Sequence, residues 1–174
     1  MKIAYDYQIF SGQGYGGISR YFYQLSKGIL KTENELRIFS PIHRNNYINN
    51  LEKGVVKGIW LNKYHLGRRG NRIVSGLNRL ISKPMIKNYK PDIVHETFYA
   101  KHSVSPTNTP IIITVYDMIH EIFDYYQPPY HRGWAEKNVS INRADHIICI
   151  SHNTRKDLIR LFGVDERKIS VTYL

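Results

Sequence analysis

Three stretches place an imidazole, a hydroxyl or a carboxylate just where an apolar run ends: His95-Glu96, Asp117 with His120-Glu121, and Ser151-His152. A histidine beside a carboxylate is the pairing that orients a hydroxyl or moves its proton near neutral pH. A fourth stretch, Ser11-Gly12-Gln13-Gly14-Tyr15-Gly16-Gly17, feeds a helix, and the start of a helix offers unpaired backbone N–H groups to an anion. Gly12, Gly14 and Gly17 satisfy G-x-G-x-x-G, but a dinucleotide fingerprint follows its strand directly and is answered by an acidic residue ending the second strand. Here residues intervene, and the second apolar run ends Phe39-Ser40-Pro41. What stands is Gly16-Gly17 with Arg20 in the first helical turn, a set suited to a phosphate. The alternative is a tight loop that uses glycine for positive φ. Ser151 or Asn153 has a plainer role available too, as cap of the helix that follows.

These groups need elements to hold them. Lys2 to Tyr7 reads as a buried strand, and Ile18 to Leu30 as an amphipathic helix with Ile18, Phe22, Leu25 and Ile29 on its apolar face. Glu35 to Ser40 is a second strand closed by Pro41, and Val55 to Leu61 a weaker third, with a polar Asn-rich loop between them. Asn71 to Tyr89 has helical spacing through Ile73, Leu77, Leu80 and Ile81, with Pro84 expected to kink or divide it. Strands follow at Asp92 to His95, Ile111 to Tyr116, His146 to Ile150 and Lys168 to Tyr173, with helices at Ala135 to Arg143 and Arg155 to Phe162. Helices alternating with unbroken apolar strands predict an α/β, Rossmann-like three-layer sandwich with a mostly parallel sheet. Ligands of such sheets bind beyond the carboxyl ends of the strands, where the chemistry-bearing stretches fall.

At 174 residues one domain spanning the chain is expected, and a 42% hydrophobic share excludes disorder. The single Cys149 sits inside Ile147-Ile148-Cys149-Ile150 and reads as a core residue, which suits a reducing cytoplasm. No signal-like h-region opens the chain and no apolar run reaches membrane-spanning length. Neither His-Glu pair forms H-E-x-x-H, so no metal site is expected. The 25 Lys+Arg against 14 Asp+Glu give +11, which favours anionic partners. On the 71–89 helix Arg72, Arg79, Lys83 and Lys87 cluster on one side, with Arg68 and Arg69 just upstream. Such a helix suits an anionic membrane surface; the alternative is a solvated charged face.

Four segments in order carry a resemblance: Gly16-Gly17-Ile18-Ser19-Arg20-Tyr21, Pro91-Asp92-Ile93-Val94-His95-Glu96, Thr114-Val115-Tyr116-Asp117-Met118-Ile119-His120-Glu121, and Ala144-Asp145-His146-Ile147-Ile148-Cys149-Ile150-Ser151. With them the chain resembles the N-terminal, acceptor-binding domain of family 4 retaining GT-B glycosyltransferases, of the kind found in capsule, O-antigen and other surface-polysaccharide clusters. The resemblance implies transfer of a sugar, with retention and no cofactor or obligatory metal, from a nucleotide-diphosphate sugar to a glycan or polyprenyl-linked acceptor. It places Gly16 and Gly17 at the donor diphosphate and Tyr116-Asp117 beside the donor sugar; joined to the reading of the residues above, this makes Arg20 part of the diphosphate loop, Asp117 and His120 the catalytic candidates, and Glu96, Tyr116, Glu121 and Ser151 the acceptor side of the cleft. Tyr116 stands where many members carry histidine, so His120 supplies the imidazole or Asp117 acts alone. The family's donor-binding C-terminal domain has no counterpart in these residues, and the chain stops inside an apparent strand, so an incomplete polypeptide inactive by itself is expected. A cytoplasmic protein peripheral on the inner leaflet follows, with no nucleic acid expected. The competing expectation is a non-enzymatic phosphate- or nucleic-acid-binding α/β module, although no RNA-stacking or helix-turn-helix signature supports it.

Overall fold

The computed structural model describes residues 1–61, 67–122 and 131–173; the side chains of residue 68 and of residues 131–134 lie outside the description. Two compact units result, residues 1–97 with 104–109 and residues 98–103 with 110–174.

In the first unit β1 (Lys2–Tyr5), β2 (Glu35–His43), β3 (Val56–Trp60) and β4 (Ile93–Glu96) pair in the order β3-β2-β1-β4, every pair parallel. Parallel neighbours need long crossovers, supplied by α1 (Gln8–Gly12) and α2 (Gly17–Ile29) after β1, by residues 44–55 between β2 and β3, and by α3 (Gly67–Tyr89) before β4. β1 has partners on both sides, and Ile3, Ala4 and Tyr5 are all buried, as a central strand covered on both faces demands. Ala4, Tyr7, Phe39, Ile86, Val94 and Val104 form one core cluster, with Met85 and Tyr89 packed against it. The first strand ends at Tyr5 rather than Tyr7, because the chain turns into α1 to bury Ile9 and Phe10.

Pro41 does not close β2, which runs on to His43. The β2–β3 register shifts between Phe39 and Ile42, so the proline falls in an irregularity where its missing N–H costs no ladder bond. Gly58 answers it on β3: a Cβ there would lie 1.7 Å from the Ser40 carbonyl oxygen, which no side chain allows.

Pro84 likewise lies inside α3 without dividing it. The larger departure is which face of α3 is buried. Ile73, Leu77, Leu80 and Ile81 are exposed, whereas Val74, Asn78, Ser82 and Ile86 are buried. The cause is on β2. Its register with β1 stops at Ile38, so the strand beyond has no β1 partner. Asn78 takes that place: its Oδ1 accepts from Ile42 N–H at 2.7 Å and its Nδ2 donates to Ile42 O at 2.9 Å. The Ser82 hydroxyl donates to Phe39 O at 3.2 Å. Leaving buried backbone groups unpaired costs about 1–3 kcal/mol each, enough to turn polar residues inward.

The second unit holds β5 (Ile111–Val115), β6 (His146–Cys149) and β7 (Ile169–Val171), parallel in the order β5-β6-β7. Its helices are α4 (Ile119–Ile122), α5 (His131–Arg143) and α6 (His152–Phe162). Ile113, Val115, Ile141, Ile147, Cys149 and Leu158 are central to its core, and burial pushes the Cys149 thiol up to about 11. Both units are parallel α/β in the Rossmann-like manner that the alternating segments predict. Among the described residues no helix is long and apolar enough to cross a membrane, and no cluster of His, Cys, Asp and Glu could hold a metal ion.

Candidate functional site

The glycine segment is built in the first unit. Asn45, fully buried past the end of β2, donates from Nδ2 to Gln13 O at 2.8 Å and to Gly14 O at 3.4 Å, and Asn46 N–H donates to Gly14 O at 3.0 Å. Asn45 Oδ1 accepts in turn from Tyr47 N–H and Ile48 N–H, an Asx turn that fixes the asparagine before it grips the loop. The loop's carbonyls are thus held from behind. At its front α2 begins at Gly17 with no side-chain cap at Gly16; the Gln13 amide oxygen reaches only the Ser19 N–H, at 3.4 Å.

Positive φ is not why these glycines are glycines. Only Gly54, Gly67 and Gly163 have positive φ among the described glycines, and Gly16 is extended at φ 174°. Beyond its chain neighbours and its own helix, a Cβ on Gly17 would meet no atom within 4 Å. The space there is open and borders the uncapped helix start, with Arg20 exposed one turn on. Asn45 is the residue that sequence reasoning missed: the Asn-rich stretch after β2 was visible, but which asparagine reaches back across about 30 residues of chain was not.

The strand ends of this unit bury two carboxylates. Asp6 follows β1 and Glu96 ends β4, each 1% exposed. Asp6 Oδ1 accepts from Thr97 N–H at 2.9 Å, from the Thr97 hydroxyl at 2.5 Å and from Gln8 N–H at 3.3 Å. Burial, reinforced by the Glu96 carboxylate, pushes Asp6 up to about 7 in spite of those bonds. Thr97 Oγ1 also accepts from Ile9 N–H at 3.1 Å, so the Asp6–Thr97 pair ties the start of α1 to the end of β4. His95 lies edge-on to Tyr5 and Phe22 at 5.5 and 4.9 Å, and burial holds it down to about 3, an uncharged core ring.

The second unit carries the other group. Asp117 follows β5, is exposed, and accepts from Ile119 N–H at 3.2 Å through Oδ1, which starts α4 and sets His120 one turn on, also exposed. Behind them Lys137 Nζ donates to Asp117 O at 2.6 Å and to Glu121 Oε2 at 2.9 Å, the two side chains only 5% and 3% exposed. The same ammonium lies over the Tyr99 ring at 5.3 Å. Glu121 is therefore engaged in an ion pair that pins the 117–121 turn. Tyr116 is half-buried, and its carbonyl accepts from the Thr154 hydroxyl at 3.3 Å. Ser151 is the N-cap of α6, accepting from Thr154 N–H at 3.0 Å.

The predicted residues are divided between the units: Gly16, Gly17, Arg20 and Glu96 belong to the first, and Tyr116, Asp117, His120, Glu121 and Ser151 to the second. The basic residues Arg72, Arg79, Lys83 and Lys87 are all exposed along α3, apart from both groups in sequence; Arg68 lies outside the described side chains.

Parallel α/β units with polar groups at the carboxyl ends of their strands make the domain Rossmann-like, with its candidate groups where such sheets bind ligands. The family model of Glycosyltransferase Family 4 matches residues 15–174, and the chain belongs to that family. No curated protein matches the sequence. Among solved structures, a glycosyltransferase from Rickettsia africae ESF-5 aligns with TM-score 0.51 and 19% identity over 99% of this chain and 42% of its own. The wall teichoic acid polymerase TagF aligns with TM-score 0.51 and 12% identity over 97% of this chain and 37% of its own. At such identities the likeness is one of fold, and the chain spans about two fifths of either structure's length.

Proposed function

We infer that this glycosyltransferase domain forms the acceptor side of a sugar-transferring enzyme whose donor nucleotide is bound by a second, facing domain. The observation that carries the inference is the glycine segment: its carbonyls are taken by Asn45 and Asn46, while Gly16 caps α2 with no side chain, Gln13 reaches only Ser19 N–H, at 3.4 Å, and space is open at Gly17. Amides at such a helix start favour a diphosphate, and Arg20 adds a cation one turn away. Asp117 and His120 would orient the acceptor hydroxyl and stabilise charge beside the donor sugar, a contribution of roughly 10²–10⁴ in rate for a positioned acid or base. The donor is a nucleotide-diphosphate sugar carrying a hexosyl group, transfer proceeds with retention, and the acceptor is a glycan or a polyprenyl-linked sugar at the cytoplasmic leaflet, in surface-polysaccharide synthesis.

The test uses the polypeptide that carries both domains. Gly17→Val has room in the protein and should spare folding, yet should weaken donor binding at least tenfold. Asp117→Asn and His120→Ala should lower turnover with little change in melting temperature. Near-normal turnover in all three overturns the assignment. The isolated chain should bind UDP- and GDP-sugars only weakly; micromolar binding, about 8 kcal/mol, would contradict the role of a facing domain.

A further inference from the structure

Three tyrosines gather in the first unit just beyond the carboxyl end of β2. Tyr47 follows that strand and opens a 3₁₀ turn, Ile48–Asn50; Tyr15 lies in the glycine segment and Tyr23 on α2. The Tyr15 and Tyr47 rings stand 5.4 Å apart between centroids and nearly perpendicular, at 88°, while Tyr23 is stacked on Tyr47 at 5.9 Å and 25°. Tyr15 is 70% exposed and the other two are half-buried. Among the described residues no hydrogen bond to protein engages the three phenol hydroxyls or the exposed Asn49 amide.

One buried amide holds both sides of this aromatic corner. Asn45 Nδ2 donates to Gln13 O and Gly14 O, next to Tyr15, and its Oδ1 accepts from Tyr47 N–H at 3.1 Å. Asn46 adds a second tie to Gly14 O, from its N–H at 3.0 Å and from Nδ2 at 3.3 Å. The segments carrying the perpendicular rings are therefore stitched to each other. Tyr15 buries little of its own ring, so the corner does little for the fold, and exposed rings fixed by a rigid support are the form of a preorganised recognition surface. Residues 11–17 and 45–50 consist of Ser, Gly, Gln, Tyr and Asn with a single Ile, which sets stiff aromatic area beside adaptable hydrogen-bonding groups.

We propose that the Tyr15–Tyr47 corner is a saccharide-binding subsite, which holds one pyranose ring of the acceptor against the phenol rings with the Asn46 and Asn49 amides at its rim. The electron-rich face of a phenol attracts the C–H groups that line one side of a pyranose, and phenol and amide groups match its hydroxyls as donors and acceptors. The place is that of ligands in parallel sheets, beyond the strand ends. A nucleobase fits less well. It is flat on both sides and gains most from a parallel slot, but the two parallel rings are 5.9 Å apart and admitting a base between them would need about 7 Å, twice a van der Waals contact. The proposal deepens the reading of sugar transfer, on which the choice of a saccharide rests.

NMR titration of the chain with labelled tyrosine rings tests it, using maltohexaose, cellohexaose, chitohexaose and mannohexaose, with uridine and guanosine as base probes. At least one oligosaccharide should shift the ring resonances of Tyr15 and Tyr47. Tyr15→Ala and Tyr47→Ala should each weaken that binding about tenfold, and Tyr15→Phe, which keeps the ring, by less than Tyr15→Ala. Tyr15 is exposed, so its variants should leave the melting temperature in place and keep the test decisive even where Tyr47→Ala loosens its turn. Rings unmoved by all four oligosaccharides overturn the proposal, and so does unchanged affinity in Tyr15→Ala. Tighter binding of either nucleoside at these rings overturns it as well, assigning the corner to a base. Neither donor nor turnover enters the measurement, so this outcome is separate from the loss of turnover expected of Asp117→Asn and His120→Ala, and either reading can fail while the other stands.

Discussion

Each unit buries a carboxylate just beyond the end of a parallel strand, and the two neutralise it by different means. Asp6 in the first unit has no salt bridge among the described residues: it accepts three hydrogen bonds and is pushed toward its neutral form by burial and by the Glu96 carboxylate. Glu121 in the second unit keeps an ammonium, Lys137, on its Oε2. The first solution holds a loop through a titrating group, so it depends on pH. The second holds a turn through an ion pair, so it depends on both partners remaining.

Removing one partner of the pair gives the largest expected effect. Lys137→Met leaves Glu121 buried and uncompensated and should destabilise the second unit by about 3–5 kcal/mol, while Lys137→Met with Glu121→Leu should recover most of it. Chemical denaturation of the three proteins measures this; equal losses for the single and double variants would show that the pair does not act as one. Cysteine offers a second readout, because the buried Cys149 lies in the same unit and should react with thiol reagents sooner once that unit opens.

Asp6→Asn probes the other solution with a neutral side chain that keeps the accepting oxygen. The folded pKa, about 7, lies above the ordinary aspartate value of 3.8. Between those values the folded state holds a proton that the unfolded state has lost, so the group's contribution is full below pH 3.8 and disappears as pH rises through about 7. The asparagine variant should therefore gain on the parent as pH rises from 4 to 8, by on the order of a few kcal/mol, and run parallel above that. A difference independent of pH would mean that Asp6 stays ionised.

Two smaller effects sharpen the contrast between residues that hold the fold and residues kept for a ligand. Ser151→Ala removes the cap of α6 and should cost about 1 kcal/mol by thermal melting. Gly17→Val should cost the fold less than about 0.5 kcal/mol, since nothing lies where its side chain would go. A loss at Gly17 as large as that at Ser151 would give the glycine a role in folding.

Much of this architecture was legible along the chain. The strand segments, the helix after the glycine segment and the helix after Ser151 follow from unbroken β-branched runs, helical spacing and cap chemistry, all local signals. The carboxylates and histidines could be placed at strand ends for the same reason. What they meet there could not: Lys137 is 16 residues from Glu121 and Asn45 is 32 from Gln13. Neither pairing leaves a mark in periodicity.

α3 divides most clearly what the sequence by itself determined from what only the tertiary structure decided. Its apolar spacing established that residues 71–89 are helical and amphipathic, because 3.6-residue periodicity is a property of the helix alone. The side that faces inward was decided by β2, whose residues beyond Ile38 outrun β1 and would leave Ile42 N–H and C=O unpaired without the Asn78 amide. Hydrophobic spacing predicts burial when apolar contact is the strongest demand at an interface. Here backbone hydrogen bonding was the stronger one, and it arises only once the strands are paired.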